Sequence, residues 1–257
     1  MIILGIIPAR YASTRFPAKA LVTIHGKTMI QRVLEQARQA RSLDRVVVAT
    51  DDYRIYDHVL SVGGDAVMTS THHQSGTDRC QEVVEQLGVN ADYIANIQGD
   101  EPFIQPRQID LLASVLDGVT ELATLVKRID DQQTLLNPNT PKVVLSRRPG
   151  HADHSEALYF SRHPVPYQRE RPVDEWLQYH SYWKHIGLYA YRTDVLARIT
   201  QLPPSSLERA ESLEQLRWLE AGYRIRTVET DLDSHGIDTP ADLERVSQAL
   251  IPPVKKP

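Results

Sequence analysis

IILGIIPAR, residues 2–10, is the stretch of sequence that indicates the fold class. A continuous aliphatic run that stops at Pro8, without alternating polar residues, is typical of a strand buried on both faces of a parallel sheet. The run is too short to cross a bilayer and no basic segment precedes it, so we interpret it neither as a membrane helix nor as a signal peptide. The sequence therefore predicts that the chain starts with a buried strand of an α/β sheet.

Strand and helix patterns alternate after this first strand. Helical spacing of apolar residues follows from Met29 to Ala37, and RVVVAT (residues 45–50) is a second buried strand. Further helices are predicted over 53–60, 81–87 and from Pro106 onward, and further strands over 66–68 and 93–97. Such alternation predicts a doubly wound, mostly parallel sheet.

The pattern changes near residue 120. Short strands are predicted over 122–126, 142–145, 158–160, 182–191 and 224–228, and the segment 163–184 is rich in Pro, Arg and aromatic residues without a clear period. Thr239-Pro240-Ala241-Asp242 resembles a capping box that opens a final helix. We therefore predict an α/β core over 1–120, a second part over 121–235 with strands that return to the sheet, a loop and helix of the core over 236–250, and a tail over 251–257.

Composition and charge exclude several classes of protein. The chain has 257 residues, of which 41% are hydrophobic and 24% charged, and this is ordinary globular usage. Its net charge of −4 argues against a general nucleic-acid binder. The single cysteine, Cys80, allows no intramolecular disulfide and no multi-cysteine metal cluster, so we predict a buried thiol and a cytoplasmic protein. His72-His73 and His151/His154 lack the partners of a metal site, and we interpret them as surface histidines.

The polar loop after the first strand, PARYASTRFPAK (residues 8–19), carries three cations. In open α/β sheets ligands bind beyond the carboxyl ends of the strands, where this loop is expected. Arg10, Arg15 and Lys19 can converge on one polyphosphate if the loop folds back, although a solvated basic loop is an equal alternative on composition alone. The loop has neither a GxGxxG nor a Walker A pattern, and this argues against dinucleotide-binding and P-loop folds.

Seven blocks of the chain resemble, in order and spacing, the 3-deoxy-D-manno-octulosonate cytidylyltransferase (CMP-Kdo synthetase) family. They are IIPARYASTRFPAKAL, HQSGTDR, NIQGDEP, ALYFSR, KHIGLYAYR, LEQLR and GIDTPADLE, and they extend from Ile2 to about Val246. The resemblance implies a nucleotide-diphospho-sugar transferase-like α/β fold with a smaller sugar-binding and dimerisation part. It implies transfer of CMP from CTP to the anomeric hydroxyl of Kdo with release of pyrophosphate, and Mg²⁺ as the cofactor. It also implies a cytoplasmic homodimer that serves lipopolysaccharide synthesis, without nucleic-acid binding or membrane insertion.

The same resemblance implies roles for individual residues. Catalysis is expected of Arg10, Arg15, Lys19 and Asp100, and metal binding of Asp100 and Asp238. The implied nucleotide-binding residues are Ala9, Arg10, Ser13, Arg15, Lys19, Ser75, Arg79 and Gln98. The implied sugar-binding residues are Arg162, His185, Tyr189, Glu214 and Gln215.

Taken singly, most of these residues also have ordinary structural explanations. Asp100 fits a turn, the block around Ser75 fits a Thr or Asp N-cap of the following helix, and His185 fits a histidine with a structural hydrogen bond. Glu214 and Gln215 fit a solvated helix face. Only their joint occurrence in the family pattern favours the functional roles.

Two residues of the first block depart from the family. Ala18 and Ala20 stand where the family commonly has Gly and Pro. If position 18 requires a positive φ angle, Ala18 is strained there. The departures concern the geometry of the loop around Lys19 and leave its charges unchanged.

Three other functions remain open at this point. A cytidylyltransferase for another acid sugar, such as a sialic acid or 8-amino-Kdo, would have the same loop chemistry. A nucleotide-binding module without catalysis is the alternative outside enzymes, although Asp100 and Asp238 argue against it. A sugar-1-phosphate nucleotidyltransferase would normally have a glycine-rich first loop, which PARYASTR is not.

Overall fold

The aliphatic run at the start of the chain forms strand β1 (Ile3–Ala9), whose residues are almost all buried. The structure is a computed structural model that describes residues 1–12, 16–146, 155–233 and 236–249, without the side chains of 246–249. The described residues divide into two units. The α/β unit consists of the described residues of 2–91, 95–109 and 234–257. The β-rich unit consists of residue 1 and the described residues of 92–94 and 110–233.

Parallel strands form the sheet of the α/β unit. Its strands are β1, β4 (Arg45–Thr50), β5 (Asp65–Met68) and β6 (Tyr93–Asn96). They lie in the order β5-β4-β1-β6, and β6 is divided between the two units. A short hairpin of β2 (Thr23–Ile24) and β3 (Lys27–Thr28) precedes the first helix. The helices are α1 (Met29–Ala37), α2 (Tyr53–Ser61), α3 (Gly76–Leu87), α4 (Pro106–Ala113), which is also divided between the units, and α10 (Pro240–Ala249).

Local sequence explains why these elements form. Helix α1 starts where the Thr28 hydroxyl accepts a hydrogen bond from the N–H of Gln31, and its apolar residues at helical spacing are all buried. Gly99 is needed after β6, because a Cβ there would lie 2.5 Å from the carbonyl oxygen of Pro8. This close approach brings the segment after β6 against the end of β1, at the carboxyl edge of the sheet.

The chain returns to the core of the α/β unit at its C-terminal segment. Ile237 is fully buried and packs with Ile24 and Met29 in one hydrophobic cluster. The Thr239 hydroxyl accepts a hydrogen bond from the N–H of Asp242, whose carboxylate accepts the N–H of Thr239, so the predicted capping box opens α10. The core of this unit therefore includes residues from both ends of the sequence.

Five strands of the β-rich unit pair in a closed ring. They are β7 (Leu122–Arg128), β8 (Lys142–Ser146), β9 (Ser155–Ser161), β10 (Trp183–Arg192) and β11 (Ile225–Glu229). Their order is β10-β7-β11-β9-β8, and β8 pairs again with β10. The β7–β11 pair is parallel, and the pairs of β10 with β7, of β10 with β8, of β8 with β9 and of β9 with β11 are antiparallel. The sequence predicted these short strands but not the pairing that closes them.

Helices of the β-rich unit are short. They are α5 (Gln132–Leu136), α6 (Trp176–Tyr179), α7 (Thr193–Ile199), α8 (Ser206–Glu211) and α9 (Gln215–Glu220). Within the aromatic segment 163–184, Trp176 and Tyr182 pack against Ile129 and Leu135 in a small hydrophobic cluster, whereas Tyr179 is exposed. These aromatic residues thus include core residues of the unit.

Most predicted elements occur within a few residues of their predicted bounds. Helix α3 starts at Gly76 rather than at residue 81, and β9 starts at Ser155 rather than at residue 158. The N-terminal part of the α/β unit extends to Ile109, inside α4, whereas the boundary predicted for this part was residue 120. Cys80 is buried, as predicted. In the described part of the chain, no helix has the length and apolar character needed to span a membrane.

Candidate active site

A pocket of about 270 Å³ lies at the carboxyl edge of the sheet in the α/β unit. The residues of the first loop, of the start of α3, of the turn after β6 and of the loop before α10 line it together. It contains eight of the predicted residues, namely Ala9, Arg10, Lys19, Ser75, Arg79, Gln98, Asp100 and Asp238. Ser13 and Arg15 are outside the described residues. The structure therefore brings together the described residues that were predicted for the nucleotide and the metal.

The Lys19 ammonium joins the two carboxylates predicted to bind metal. Its Nζ donates to Asp100 Oδ2 at 2.7 Å and to Asp238 Oδ1 at 3.0 Å. The lysine side chain is 15% exposed, so these charge-assisted hydrogen bonds are partly shielded from solvent. Two carboxylates and a cation, contributed by distant parts of the sequence, thus meet at one point of the pocket.

Backbone contacts hold the three groups at this point. Ala18, just before Lys19, has φ 57° and ψ 19°, in the left-handed region, and its N–H donates to the carbonyl of Tyr11 at 3.1 Å. Position 18 therefore requires the positive φ angle that the sequence suggested. The N–H of Ile237 donates to the Asp100 carbonyl at 2.9 Å, which keeps Asp238 beside Asp100.

The segment at the start of α3 forms another wall of the pocket. Ser75 Oγ accepts the N–H of Asp78 at 3.1 Å, and the Asp78 carboxylate accepts the N–H of Ser75 at 3.2 Å. This capping box shows that Ser75 itself is the N-cap, a position for which the sequence suggested Thr or Asp. The structural and the binding explanations of this block are compatible, because the cap faces the pocket.

Arg79 is held rigidly in the wall of the pocket. It is only 4% exposed, and its guanidinium donates to Asp51 Oδ2 at 2.9 Å, to the hydroxyl of Thr69 and to the Ser70 carbonyl at 3.3 Å. Buried charges are tolerated when they are paired and hydrogen-bonded in this way. Arg79 therefore offers a fixed cation, and the sequence did not predict its partners.

His73 also lines the pocket, although the sequence suggested a surface histidine. The side chain is half-buried, and its Nε2 is hydrogen-bonded to Glu82 Oε2 on α3. Its neighbour His72 is exposed, as predicted. A pair of adjacent histidines gives no sequence signal for which of them points inward, and the contact with Glu82 on the following helix cannot be inferred from spacing.

Two of the predicted sugar-binding residues lie next to each other on β10 of the β-rich unit. The rings of His185 and Tyr189 are 5.1 Å apart, and His185 Nε2 lies 3.0 Å from the hydroxyl of Thr124. Burial lowers the pKa of His185 to about 3. Burial also raises the pKa of Tyr189 well above its usual value, and the Tyr189 hydroxyl has no hydrogen-bond partner among the described residues.

Helix α9 packs Trp218 against this pair and also carries the predicted Gln215. Gln215 is buried, and its Nε2 has no hydrogen-bond partner among the described residues. Trp218, one turn later, packs edge-on against Tyr189 with ring centroids 5.3 Å apart. Glu214 precedes the helix and accepts a hydrogen bond from Arg217 at 3.3 Å. Gln215 is therefore buried rather than part of a solvated helix face.

Arg162 has a more structural environment than its predicted role suggests. Its guanidinium donates to the carbonyls of Glu211 at 2.6 Å, of Pro138 at 3.0 Å and of Ser212 at 3.1 Å. These bonds fix the side chain and still leave it further N–H donors for a ligand, because a guanidinium has five. Its role towards the sugar stays a prediction.

The acidic pair in the pocket fits a magnesium ion. Mg²⁺ takes oxygen ligands and is usually bound by one or two protein carboxylates together with substrate phosphates and water. Asp100 and Asp238 supply two such carboxylates within 3.0 Å of one Lys19 nitrogen. Among the described residues, no three or more His, Cys, Asp or Glu side chains are grouped so that they could hold a metal ion.

Several known proteins are similar to this chain in sequence. A model of the cytidylyltransferase family matches residues 4–225. The 3-deoxy-manno-octulosonate cytidylyltransferase of Cytophaga hutchinsonii is 56% identical over 246 residues, which are 95% of this chain and 96% of that protein. The protein of the same name from Syntrophotalea carbinolica is 49% identical over 97% of this chain and 99% of its own length.

Solved structures give the same assignment. One of CMP:2-keto-3-deoxy-manno-octonic acid synthetase complexed with CTP matches with a TM-score of 0.87 and 45% identity, over 97% of this chain and 98% of that one. A cytidylyltransferase from Leptospira borgpetersenii matches with a TM-score of 0.59 at 17% identity over 96% of this chain and 85% of that one, and this shows the fold alone.

The family model covers most of the chain, so the chain is a cytidylyltransferase, a class of nucleotidyltransferase. Relatives with about half of their residues identical over nearly the whole length narrow the assignment further. The chain belongs to the 3-deoxy-manno-octulosonate cytidylyltransferase family. The resemblance of the seven blocks, the α/β fold class and the enzyme class predicted from them are thereby confirmed.

Proposed function

We propose that this chain transfers CMP from CTP to the anomeric hydroxyl of Kdo and releases pyrophosphate, with Mg²⁺ held by Asp100 and Asp238. The convergence of Lys19, Asp100 and Asp238 in one pocket is the observation that carries the proposal. The names of the relatives support both substrates, and a related structure is complexed with CTP.

The residues of the pocket have separate tasks in this reaction. Lys19 has three N–H donors and uses two of them on the carboxylates, so the third can bind a phosphate oxygen. Arg10 adds a second cation of the same pocket. When bound, Mg²⁺ would neutralise charge on the phosphates and lower the pKa of the attacking hydroxyl. The chain's own contribution is therefore mainly positioning and electrostatic stabilisation.

Two buried polar side chains of the β-rich unit, Tyr189 and Gln215, support an acid sugar as the acceptor. Tyr189 and Gln215 each have a buried polar atom without a partner among the described residues, and such atoms are costly unless a ligand or water satisfies them. A sugar with several hydroxyls can satisfy both. Arg162 has N–H donors left over that suit a carboxylate.

The assembly and the cellular setting follow from the same family assignment. We propose a homodimer in the cytoplasm that supplies CMP-Kdo to lipopolysaccharide synthesis. The exposed Tyr167 and Tyr179 in the segment 163–184 give that segment apolar surface suited to a subunit contact. Light scattering of the purified protein would measure the subunit number directly.

Pyrophosphate release tests the reaction. The purified protein would be assayed with Mg²⁺ and CTP, with Kdo, 8-amino-Kdo or N-acetylneuraminate as the acceptor and with UTP as a control for the base. Fastest release with CTP and Kdo is expected. Fastest release with another sugar would replace Kdo in the proposal, and no release with any sugar would indicate a nucleotide-binding module without catalysis.

A pair of aspartate variants tests the acidic site. Asp100→Ala should reduce Mg²⁺-dependent turnover by about 100-fold or more, because the metal and phosphate charges lose a ligand. Asp65→Ala is the matched control, since Asp65 forms only a surface ion pair with Arg45 outside the pocket. Unchanged turnover in Asp100→Ala would contradict the assignment of this carboxylate.

A further inference from the structure

His73 lines the pocket and is hydrogen-bonded to Glu82 on α3. Its Nε2 is bonded to Glu82 Oε2, and the same oxygen accepts the N–H of Ser70 at 2.8 Å. The other oxygen of Glu82 accepts Gln86 Nε2 at 2.8 Å. In its contacts with Ser70 and Gln86 the Glu82 carboxylate accepts.

These contacts decide which ring nitrogen of His73 carries the proton. Burial raises the pKa of Glu82, but the hydrogen bonds from Ser70, His73 and Gln86 outweigh that effect and leave the pKa below its usual value. An ionised carboxylate only accepts hydrogen bonds, so Nε2 of His73 must be the donor. In the neutral imidazole Nδ1 is then an acceptor.

His73 Nδ1 adds an acceptor to this end of the pocket, beside the side-chain oxygens of Gln74 and Gln98. Arg79 can only donate, and the Ser75 hydroxyl already accepts the N–H of Asp78. Lys19 and the two carboxylates form the part of the pocket suited to phosphates and metal. The wall made by 73–79 is therefore suited to the base of the nucleotide.

We propose that His73 Nδ1 accepts a hydrogen bond from the 4-amino group of cytosine, and that Glu82 holds His73 in the tautomer that can do so. The inference rests on the proposed function, because it needs CTP in this pocket. Uracil carries a carbonyl oxygen at that position, so two acceptors would face each other and UTP would bind poorly. His73 is then a specificity-determining residue and Glu82 a positioning residue.

A glutamine at position 73 separates the two ring nitrogens. His73→Gln keeps an N–H donor that can reach Glu82 in the manner of Nε2, and its acceptor oxygen is bonded to the same carbon as that donor and so does not occupy the place of Nδ1. We would measure kcat/KM with CTP, with UTP and with pyrimidin-2-one riboside triphosphate, which lacks only the amino group. The same substitution at the exposed neighbour, His72→Gln, is the matched control.

Loss of the amino group should cost the unaltered protein and His72→Gln about tenfold or more in kcat/KM, as expected for a buried hydrogen bond left unmade. In His73→Gln, loss of the amino group from the nucleotide should lower kcat/KM by less than about threefold. Glu82→Gln, which no longer fixes the tautomer, should show an intermediate cost. Melting curves confirm that each variant is folded.

A folded His73→Gln variant that keeps the full preference for the amino group would overturn the inference. Calorimetric titration with CTP and UTP in the absence of sugar provides a second measurement that does not need turnover. If the unaltered protein releases no pyrophosphate with any sugar, the proposed function fails. The role of His73 is then still decided by whether His73→Gln loses the preference for CTP over UTP in binding.

Discussion

Ala18 has a backbone conformation that an L-residue adopts at a cost, and this cost can be measured. Its φ of 57° and ψ of 19° are fixed on both sides, because its N–H donates to the Tyr11 carbonyl and its carbonyl accepts the N–H of Leu21 at 2.9 Å. The left-handed region costs a residue with a Cβ about 1–2 kcal/mol. Ala18→Gly removes this strain, but glycine adds about 0.4–1 kcal/mol of conformational freedom to the unfolded chain. We expect a net gain of about 0.5–1 kcal/mol.

Gly88 provides the reciprocal substitution. It follows α3 with φ 55° and ψ 27°, almost the conformation of Ala18, and a Cβ there would meet no atom within 4 Å. Gly88→Ala should therefore lower the free energy of unfolding by a similar amount, through backbone strain alone. Since the two sites are remote in sequence and share no contact named here, the double variant should return close to the starting stability.

Thermal unfolding is the assay. For a chain of this length 1 kcal/mol corresponds to about 2–4 °C, so Ala18→Gly should raise the melting temperature by about 1–4 °C and Gly88→Ala should lower it by a similar amount. A lower or unchanged melting temperature in Ala18→Gly, together with the expected loss in Gly88→Ala, would refute the reasoning. It would mean that the loop around Ala18 does not keep this conformation.

Three further substitutions test other parts of the molecule. Tyr189→Phe removes a buried hydroxyl that has no partner among the described residues, so the melting temperature should be kept. The KM for Kdo in steady-state kinetics should rise about tenfold, and an unchanged KM would mean that Tyr189 is not part of the sugar site. Asp51→Asn leaves the Arg79 guanidinium beside a neutral group, and urea unfolding should show a loss of about 3 kcal/mol, whereas a loss below about 1 kcal/mol would mean that the ion pair is not buried as described. His185 has a pKa of about 3 when folded against 6.5 when unfolded, so the unfolded chain binds more protons between these values. The contribution of His185 to the free energy of unfolding is complete above pH 6.5 and falls by up to about 1.4 kcal/mol per pH unit as the pH drops towards 3. His185→Gln should therefore lose less melting temperature between pH 7 and pH 5 than the unaltered protein. An equally steep loss in this variant would contradict the assignment of that effect to His185.

The strands were the part of the fold that the sequence predicted best. RVVVAT at 45–50 forms β4 with those bounds, because a buried strand between polar segments depends mainly on local apolar composition. Helix α3 was predicted to start too late, since Gly76 and Thr77 resemble a loop until the capping box of Ser75 and Asp78 is recognised. The closing pair of β8 with β10 depends on contacts between distant residues, which no local pattern encodes.

The candidate site could be predicted in its members but not in their contacts. The family blocks identified Lys19, Asp100 and Asp238, yet only the fold shows that the lysine lies between the two carboxylates. Gln215 appeared to be on a solvated face because one helical turn with Glu and Arg gives no sign of burial. His73 was missed because its partner Glu82 lies on the following helix, where spacing alone does not imply contact.

The burial of Ile237 against Ile24 and Met29 determines when this protein can mature during its synthesis. A ribosome that adds 5–20 residues per second needs about 10–40 s to proceed from residue 24 to residue 237. Until then the nascent α/β unit leaves an apolar surface at Ile24 and Met29 uncovered, and Lys19 has Asp100 but not Asp238. The acidic site therefore forms only once residue 238 has been made, so a product that stops before residue 236 would lack both the complete pair of carboxylates proposed to bind metal and the cover of its core.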